Sequence, residues 1–170
     1  DYFLGAPVNG EDVNGVIASG AFNDSLDRPT QIRRAIGTTL ENQTTFSYDD
    51  TTRIATTSTD RDTNGDNIQV GTVLYDQLGR VIETRQYEGG SNYIAIQKQY
   101  DPLGRAFKTS NPFRPGETPV WTTQSFDVLS RIVSVTTPDN AALTTSYSGN
   151  TATVTDQAGK ARKTVTDALG

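Results

Sequence analysis

Aspartate recurs along this chain, and each copy is followed four positions later by Arg or Lys. The copies are Asp24, Asp49, Asp76, Asp101, Asp127 and Asp156, at steps of 25, 27, 25, 26 and 29 residues. Glycoside hydrolases use pairs of carboxyl groups for acid–base chemistry. Carboxylates at successive positions of a repeat array are expected to lie in a row, where they do not face one another. The spacing therefore predicts a structural role for these aspartates.

The residue types that carry most enzyme chemistry are missing from this sequence. The 170 residues include no His and no Cys, which removes the commonest general base and the usual zinc ligands. None of the Ser residues lies in a Gly-x-Ser-x-Gly context. We therefore expect no enzymatic activity, no catalytic residue and no cofactor.

One segment has the spacing of a calcium-binding loop. Asp60, Asp62, Asn64 and Asp66 alternate along the chain and surround Gly65. Alternating oxygen ligands around a glycine turn are typical of calcium loops, although the downstream bidentate Glu of such loops is missing here. The alternative is a polar hairpin loop in which Asn64-Gly65 forms a type I′ turn.

Three aromatic residues lie close to long connecting loops. They are Trp121, Phe113 and Tyr93, and Trp121 follows a segment with prolines at positions 112, 115 and 119. Exposed aromatic rings can stack on the faces of sugars, which would make these residues ligand contacts. The alternative is that all three pack against the sheet, as aromatic residues usually do.

A six-residue motif, Tyr-Asp-x-x-Gly-Arg, accounts for the regular spacing of the aspartates. Its clearest copies occupy 75–80 and 100–105, and a third copy, with Phe and Ser substituted, occupies 126–131. Weaker copies occupy 24–28, 48–53 and 156–160. The residues that we expect to be essential for folding are Tyr75, Asp76, Gly79, Arg80, Tyr100, Asp101, Gly104 and Arg105.

The motif has the chemistry of a hairpin turn. Asp101 can accept hydrogen bonds from the backbone of its own turn, Pro102 presets φ near −65°, and Gly104 supplies a positive φ. The aromatic residue then ends one strand, and the Arg begins the next, where it can pair with an Asp or lie across a neighbouring strand. In the copy at 48–53, Thr52 replaces the Gly, and a β-branched residue is strained at positive φ. We expect a different turn geometry there.

Other turn signals lie between the motifs, at 64–66, 88–91, 111–119 and 138–140, and the intervening segments alternate apolar and polar residues. This pattern predicts an all-β, elongated and twisted antiparallel sheet of about a dozen strands built from tandem β-hairpins. We assign 22–170 to the repeats and 1–21 to an N-terminal segment that could cover one sheet edge. Uncovered edges would favour self-association.

Composition narrows the partners of this chain. The net charge is −5 and the basic residues are scattered, which disfavours nucleic acid as a partner. No run approaches the roughly 20 apolar residues of a membrane span. The 26 Thr residues are typical of a sheet with one solvent-exposed face. Because the chain begins at Asp1, we interpret it as a segment of a longer protein.

The motifs at 75–80 and 100–105 and their spacing resemble the Rhs/YD-repeat proteins, and the resemblance extends over 22–170. This family includes bacterial Rhs and wall-associated repeat proteins, the shell component of insecticidal toxin complexes, and the animal teneurins. The resemblance implies a β-sheet strip that spirals into a hollow shell, in a protein that is secreted or on the bacterial cell surface. Asp101-Pro102-Leu103-Gly104 is similar to the family's autoproteolytic motif but continues into Arg105, as an ordinary repeat does.

Two functions follow from the resemblance. The first is a non-enzymatic segment of a shell that encloses a toxin or other cargo, with the remaining repeats of the parent protein as partners. The alternative is a cell-surface module that binds glycans or partner proteins through loops such as 111–121. Six or seven repeats are too few for this segment to enclose a cavity alone.

Overall fold

The computed structural model describes residues 5–167, which form an all-β chain of 14 strands. The chain divides into two compact units, at 1–95 and 96–170. The described residues contain no helix. The prediction of an all-β fold of antiparallel hairpins is therefore confirmed. None of the described elements is a helix long and apolar enough to cross a membrane.

The first unit contains seven complete strands and the start of an eighth. They are β1 (Asn9–Glu11), β2 (Ile17–Ala21), β3 (Gln31–Arg34), β4 (Asn42–Asp49), β5 (Ile54–Thr59), β6 (Gln69–Tyr75), β7 (Val81–Gly89) and β8 (Asn92–Tyr100), whose second half belongs to the other unit. Each strand pairs with the one that precedes it in sequence. This order is that of a meander, which short hairpin loops impose.

The second unit repeats the same plan. After the end of β8 come β9 (Ala106–Ser110), β10 (Trp121–Phe126), β11 (Ile132–Thr136), β12 (Ala142–Ser148), β13 (Thr151–Thr155) and β14 (Ala161–Val165). All the neighbouring pairs for which the register is resolved are antiparallel. The predicted turns at 111–119 and 138–140 join β9 to β10 and β11 to β12.

The segment 1–21 was predicted as a possible edge cover, and its described part, 5–21, contains strands. β1 and β2 form a hairpin, and β2 pairs with β3. Their connection reproduces the motif turn: Gly15 N–H donates to Asp12 O at 3.0 Å, and Gly15 has φ 79°. The repeat-like turn thus begins before residue 22.

Burial within the described residues is shallow. The only buried hydrophobic side chain there is Ala95, and the other buried side chains are Thr44, Thr72, Glu83 and Ser110. Alternate residues of a strand point to opposite faces of its sheet, so a single layer buries little unless a second layer covers it. Hydrogen-bonded turns and contacts between neighbouring strands therefore carry much of the organisation of these units.

Candidate functional site

We call the five residues from the motif Asp to the motif Arg or Lys the Asp-Arg turn, and Asp76–Arg80 is a regular example. Gly79 N–H donates to Asp76 O at 3.1 Å, and Asp76 N–H donates to Arg80 O at 2.9 Å. The Asp76 carboxylate accepts Leu78 N–H at 2.8 Å and Arg80 N–H at 2.9 Å. Gly79 has φ 76°. This is the type I turn with a following left-handed residue that the motif predicts.

The same geometry recurs in the second unit. In Asp101–Arg105, Gly104 has φ 81°, and its N–H donates to Asp101 O at 2.9 Å. Ser130 and Gly159 hold the corresponding position in the next two turns, at φ 62° and 76°. Gly104 therefore has the positive φ that the motif predicts, and Ser130 shows that a small polar residue can replace the glycine.

Three motif arginines each pair with the Asp of their own turn and also stack on an aromatic ring. Arg105 Nε donates to Asp101 Oδ2 at 2.7 Å. The guanidinium carbon lies 4.5 Å above the ring centroid for Arg105 over Phe126, 4.0 Å for Arg131 over Tyr147 and 4.0 Å for Arg28 over Tyr48. Tyr48 and Phe126 are the aromatic residues of the next motif copy, and Tyr147 lies on β12, the strand that follows β11 in the sheet. The two positions predicted for the Arg, beside an Asp or across a neighbouring strand, are thus occupied at once.

This guanidinium bridge, from the Asp of a turn to an aromatic ring on the second strand after that turn, is a recurrent device. Arg131 Nε lies 2.7 Å from Asp127 Oδ2, and Arg28 Nε lies 2.6 Å from Asp24 Oδ2. Cation–π contacts are worth about 0.5–1 kcal/mol at exposed sites. Their repetition links each turn to the strand pair that follows it. The sequence signal for this link was the motif itself, but the choice of ring was not readable from it.

The copy at 48–53 departs from the pattern, as predicted. Its positive φ falls on Arg53, at 58°, and not on Thr52. The Asp49 carboxylate accepts the Thr51 and Thr52 N–H groups at 2.9 and 3.1 Å and the Thr52 hydroxyl at 2.6 Å. Arg53 Nε donates to Tyr75 O at 3.3 Å and is not paired with Asp49. The β-branched Thr52 avoids the left-handed region, and the next residue adopts it.

Hydrogen bonds favour the ionised form of the Asp24 and Asp76 carboxylates. In Asp76, the Arg80 N–H is the largest influence and lowers the pKa below its usual range. In Asp24, the Arg28 side chain has the same effect on the pKa. Hydrogen bonds to the charged form of a carboxyl group stabilise that form.

The segment proposed as a calcium loop joins β5 to β6. The Asp60 carboxylate accepts the N–H groups of Gln43, Gly65 and Asn67, and the Asp66 carboxylate accepts four N–H groups from residues 61, 62, 63 and 68. The N–H of Thr63 is the main cause that lowers the pKa of Asp66, to about 2.

The other two calcium candidates have separate partners. Asp62 pairs with Arg61 at 2.9 Å, and the Asn64 side chain hydrogen-bonds to Glu41. Within residues 5–167 no three acidic, His or Cys side chains are grouped to hold a metal ion. The geometry favours the polar-loop interpretation, but not its turn type. Asn64 does not have a positive φ whereas Gly65 and Asn67 do, so the predicted type I′ turn is wrong.

The three aromatic candidates for ligand contact are all half-buried. In the first unit, the Tyr93 ring lies 5.4 Å from that of Tyr87 in an edge-on arrangement, and Arg85 lies 4.8 Å above its centroid. In the second unit, Trp121 begins β10 opposite Ser110, and Phe113 lies in the connection before it. Tyr93 is thus engaged by neighbours on its own sheet.

Exposed leucines in the turns of both units were missed by the sequence reasoning. The residue before the left-handed position is Leu in four turns, and its exposed fraction is 66% for Leu26, 75% for Leu78, 74% for Leu103 and 69% for Leu129. The sequence contains the pattern that predicts these leucines, because Leu recurs before Gly, Asp or Ser in the motif copies.

No protein-family model and no curated protein sequence matches this chain.

Proposed function

We propose that this chain is a non-enzymatic wall segment of a larger, secreted or surface-exposed Rhs/YD-repeat protein whose β-shell encloses a toxin or other cargo. The guanidinium bridge is the observation that carries the proposal. It ties the Asp of a turn to an aromatic ring on the second strand after that turn, at Arg28, Arg105 and Arg131. A motif that couples turns to the strands after them serves the continuity of a sheet.

The distribution of burial also supports a wall. Ala95 is the one buried hydrophobic side chain of the described residues, so these units enclose little apolar interior of their own. The outermost strand β14 is exposed along its whole length. Further repeats of the parent protein, or a second copy, would cover that edge.

The full-length parent protein provides the test. A polypeptide enclosed by an intact shell is expected to resist an added protease. The double variant Arg105→Ala/Arg131→Ala removes two guanidinium bridges and should make that polypeptide cleavable at lower protease concentration. Arg61→Ala is the matched control, because within residues 5–167 the Arg61 side chain forms an ion pair only with the adjacent Asp62. A wild-type protein without any protected polypeptide would refute the proposal.

A cell-surface module that binds glycans is the competing function. It requires accessible aromatic platforms, and the half-burial of Trp121, Phe113 and Tyr93 disfavours it. A glycan array probed with the folded chain separates the two functions. The wall proposal expects no saturable signal. Saturable binding that Trp121→Ala abolishes, while circular dichroism shows the fold retained, would establish the binding module instead.

A further inference from the structure

A cleft lies over the irregular turn of the first unit, beside the ring of Tyr75. Its volume is about 300 Å³. We call it the Tyr75 cleft. Its lining includes Tyr48, Asp49, Asp50 and Tyr75 and two arginines, Arg28 and Arg53. This volume is at the small end of the range for ligand sites, so the cleft suits a group of side-chain size.

Regular repeats show what occupies the corresponding place. There, a guanidinium lies between the turn carboxylate and an aromatic ring on the second strand after that turn. Arg131, for example, lies 2.7 Å from Asp127 and 4.0 Å above the Tyr147 ring. By the order of the strands, the same place in the irregular copy lies between Asp49 and Tyr75.

Arg53, the motif arginine of this copy, does not lie between Asp49 and the Tyr75 ring. The β4–β5 pairing keeps one register to its end, with Tyr48 opposite Ala55 and Asp49 opposite Ile54. The regular β6–β7 hairpin instead shifts register between Leu74 and Tyr75. The loop of 50–53 is consequently of another type, and its left-handed residue is Arg53 itself.

The carboxylate and the ring of a guanidinium site both lie at the cleft, although Asp49 Oδ2 accepts the Thr52 hydroxyl at 2.6 Å where Asp76 Oδ2 accepts Arg80 Nε in the regular turn. Within residues 5–167, no cation lies over the Tyr75 ring, and no basic side chain pairs with the Asp49 carboxylate. The neighbouring Asp50 is already held by Arg28, at 2.7 Å. Asp49 thus has hydrogen-bond partners in its own loop but no cationic partner, and Arg28 is held by Asp24 and Asp50. A carboxylate beside an aromatic ring favours planar cations.

We propose that the Tyr75 cleft binds the guanidinium group of an arginine that comes from outside this repeat. The bound group stacks on Tyr75 and pairs with Asp49, as Arg131 does with Tyr147 and Asp127. A planar fork of N–H donors matches a carboxylate better than an ammonium does. The site therefore prefers arginine to lysine.

The first experiment is calorimetric titration of the chain with N-acetyl-arginine amide. The citrulline analogue is the control ligand, because it replaces the guanidinium by a neutral urea of nearly the same shape. The arginine probe is expected to bind about tenfold more tightly than the citrulline probe, and Asp49→Asn should remove most of that preference. Equal binding of the two probes would overturn the proposal.

Two variants test whether Arg53 of the same repeat can compete with the arginine probe for the cleft. Thr52→Gly restores the motif and should return Arg53 to the regular position, where it fills the cleft and abolishes probe binding. The double variant Thr52→Gly/Arg53→Ala has the same turn without the competing guanidinium, so binding should return. Unchanged probe binding by a folded Thr52→Gly variant would refute the proposal. A folded double variant that does not bind the probe would also refute it. If Thr52→Gly fails to fold, the Asp49→Asn comparison decides.

The source of the arginine is distinguished by two further probes. Free arginine carries a carboxylate that the acidic surroundings of Asp49 and Asp50 would repel. An arginine inside a capped tripeptide has no such charge. Tighter binding of the tripeptide assigns the site to an arginine on a polypeptide, whereas tighter binding of free arginine assigns it to the amino acid. Failure of both to exceed the citrulline probe contradicts the proposal.

Discussion

Replacement of Gly79 by valine tests the turn on which the repeat depends. Gly79 has φ 76°, and a Cβ atom added there would meet no other atom within 4 Å. The effect of Gly79→Val therefore comes from the backbone conformation and not from a collision. Valine is β-branched and is strongly disfavoured at positive φ.

The magnitude follows from two opposing contributions. A residue held in a sparsely populated φ/ψ region costs about 1–3 kcal/mol. Restriction of the unfolded chain on loss of glycine offsets about 0.4–1 kcal/mol of that. The net loss in the free energy of unfolding is about 1–2 kcal/mol, which corresponds to a fall in Tm of about 2–8 °C for a chain of this size.

Differential scanning calorimetry of the wild type, Gly79→Val and Gly79→Asn makes the measurement. Asn140 adopts φ 65° and Ser130 adopts φ 62° in this chain, so the left-handed region is open to small polar residues here. We expect Gly79→Asn to lose less than half of what Gly79→Val loses. Equal Tm values for all three proteins would show that the positive φ of Gly79 carries no strain, and the description of the turn would be wrong.

Three further outcomes are expected. The pKa of Asp66 is lowered to about 2, mainly by the Thr63 N–H, so the stabilisation from this group is complete above the ordinary value of 3.8 and is lost as the pH falls from there toward 2. Tm should therefore fall between pH 3.8 and pH 2, and it should fall less there in an Asp66→Asn variant. Because the Asp60 and Asp66 carboxylates accept backbone N–H groups, Tm should be the same in calcium and in EDTA, and a rise with calcium would restore the metal hypothesis. Arg131→Lys keeps the charge but loses the planar stack, so it should lower Tm by up to a few degrees in the wild type and by less in a Tyr147→Leu background.

The turns were readable from the sequence because their determinants are local. Asp101 accepts hydrogen bonds from residues two and four positions on, and Gly104 lies between those positions. Residue type at each of these positions is therefore enough to predict the geometry. The irregular copy was predicted for the same reason, since Thr52 cannot take the conformation that the motif requires.

The conformation of the loop between β5 and β6 could not be predicted from local residue types. Asp60 has the spacing of a calcium ligand, but it accepts N–H groups from Gly65 and Asn67 in its own loop and from Gln43 on another strand. The competition between a metal ion and backbone donors depends on where the chain brings those donors. A one-dimensional pattern of oxygen ligands does not contain that information.

The amino-acid sequence by itself determined the all-β class, the order of the hairpins and the left-handed positions of the regular turns. Each of these depends on φ/ψ preferences and on hydrogen bonds between residues at most a few positions apart. Only the tertiary structure decided that Arg105 stacks on Phe126, that Tyr93 contacts Tyr87, and that no cation of residues 5–167 stacks on the ring of Tyr75. Those contacts join residues of different strands, and strand pairing and register determine which side chains meet.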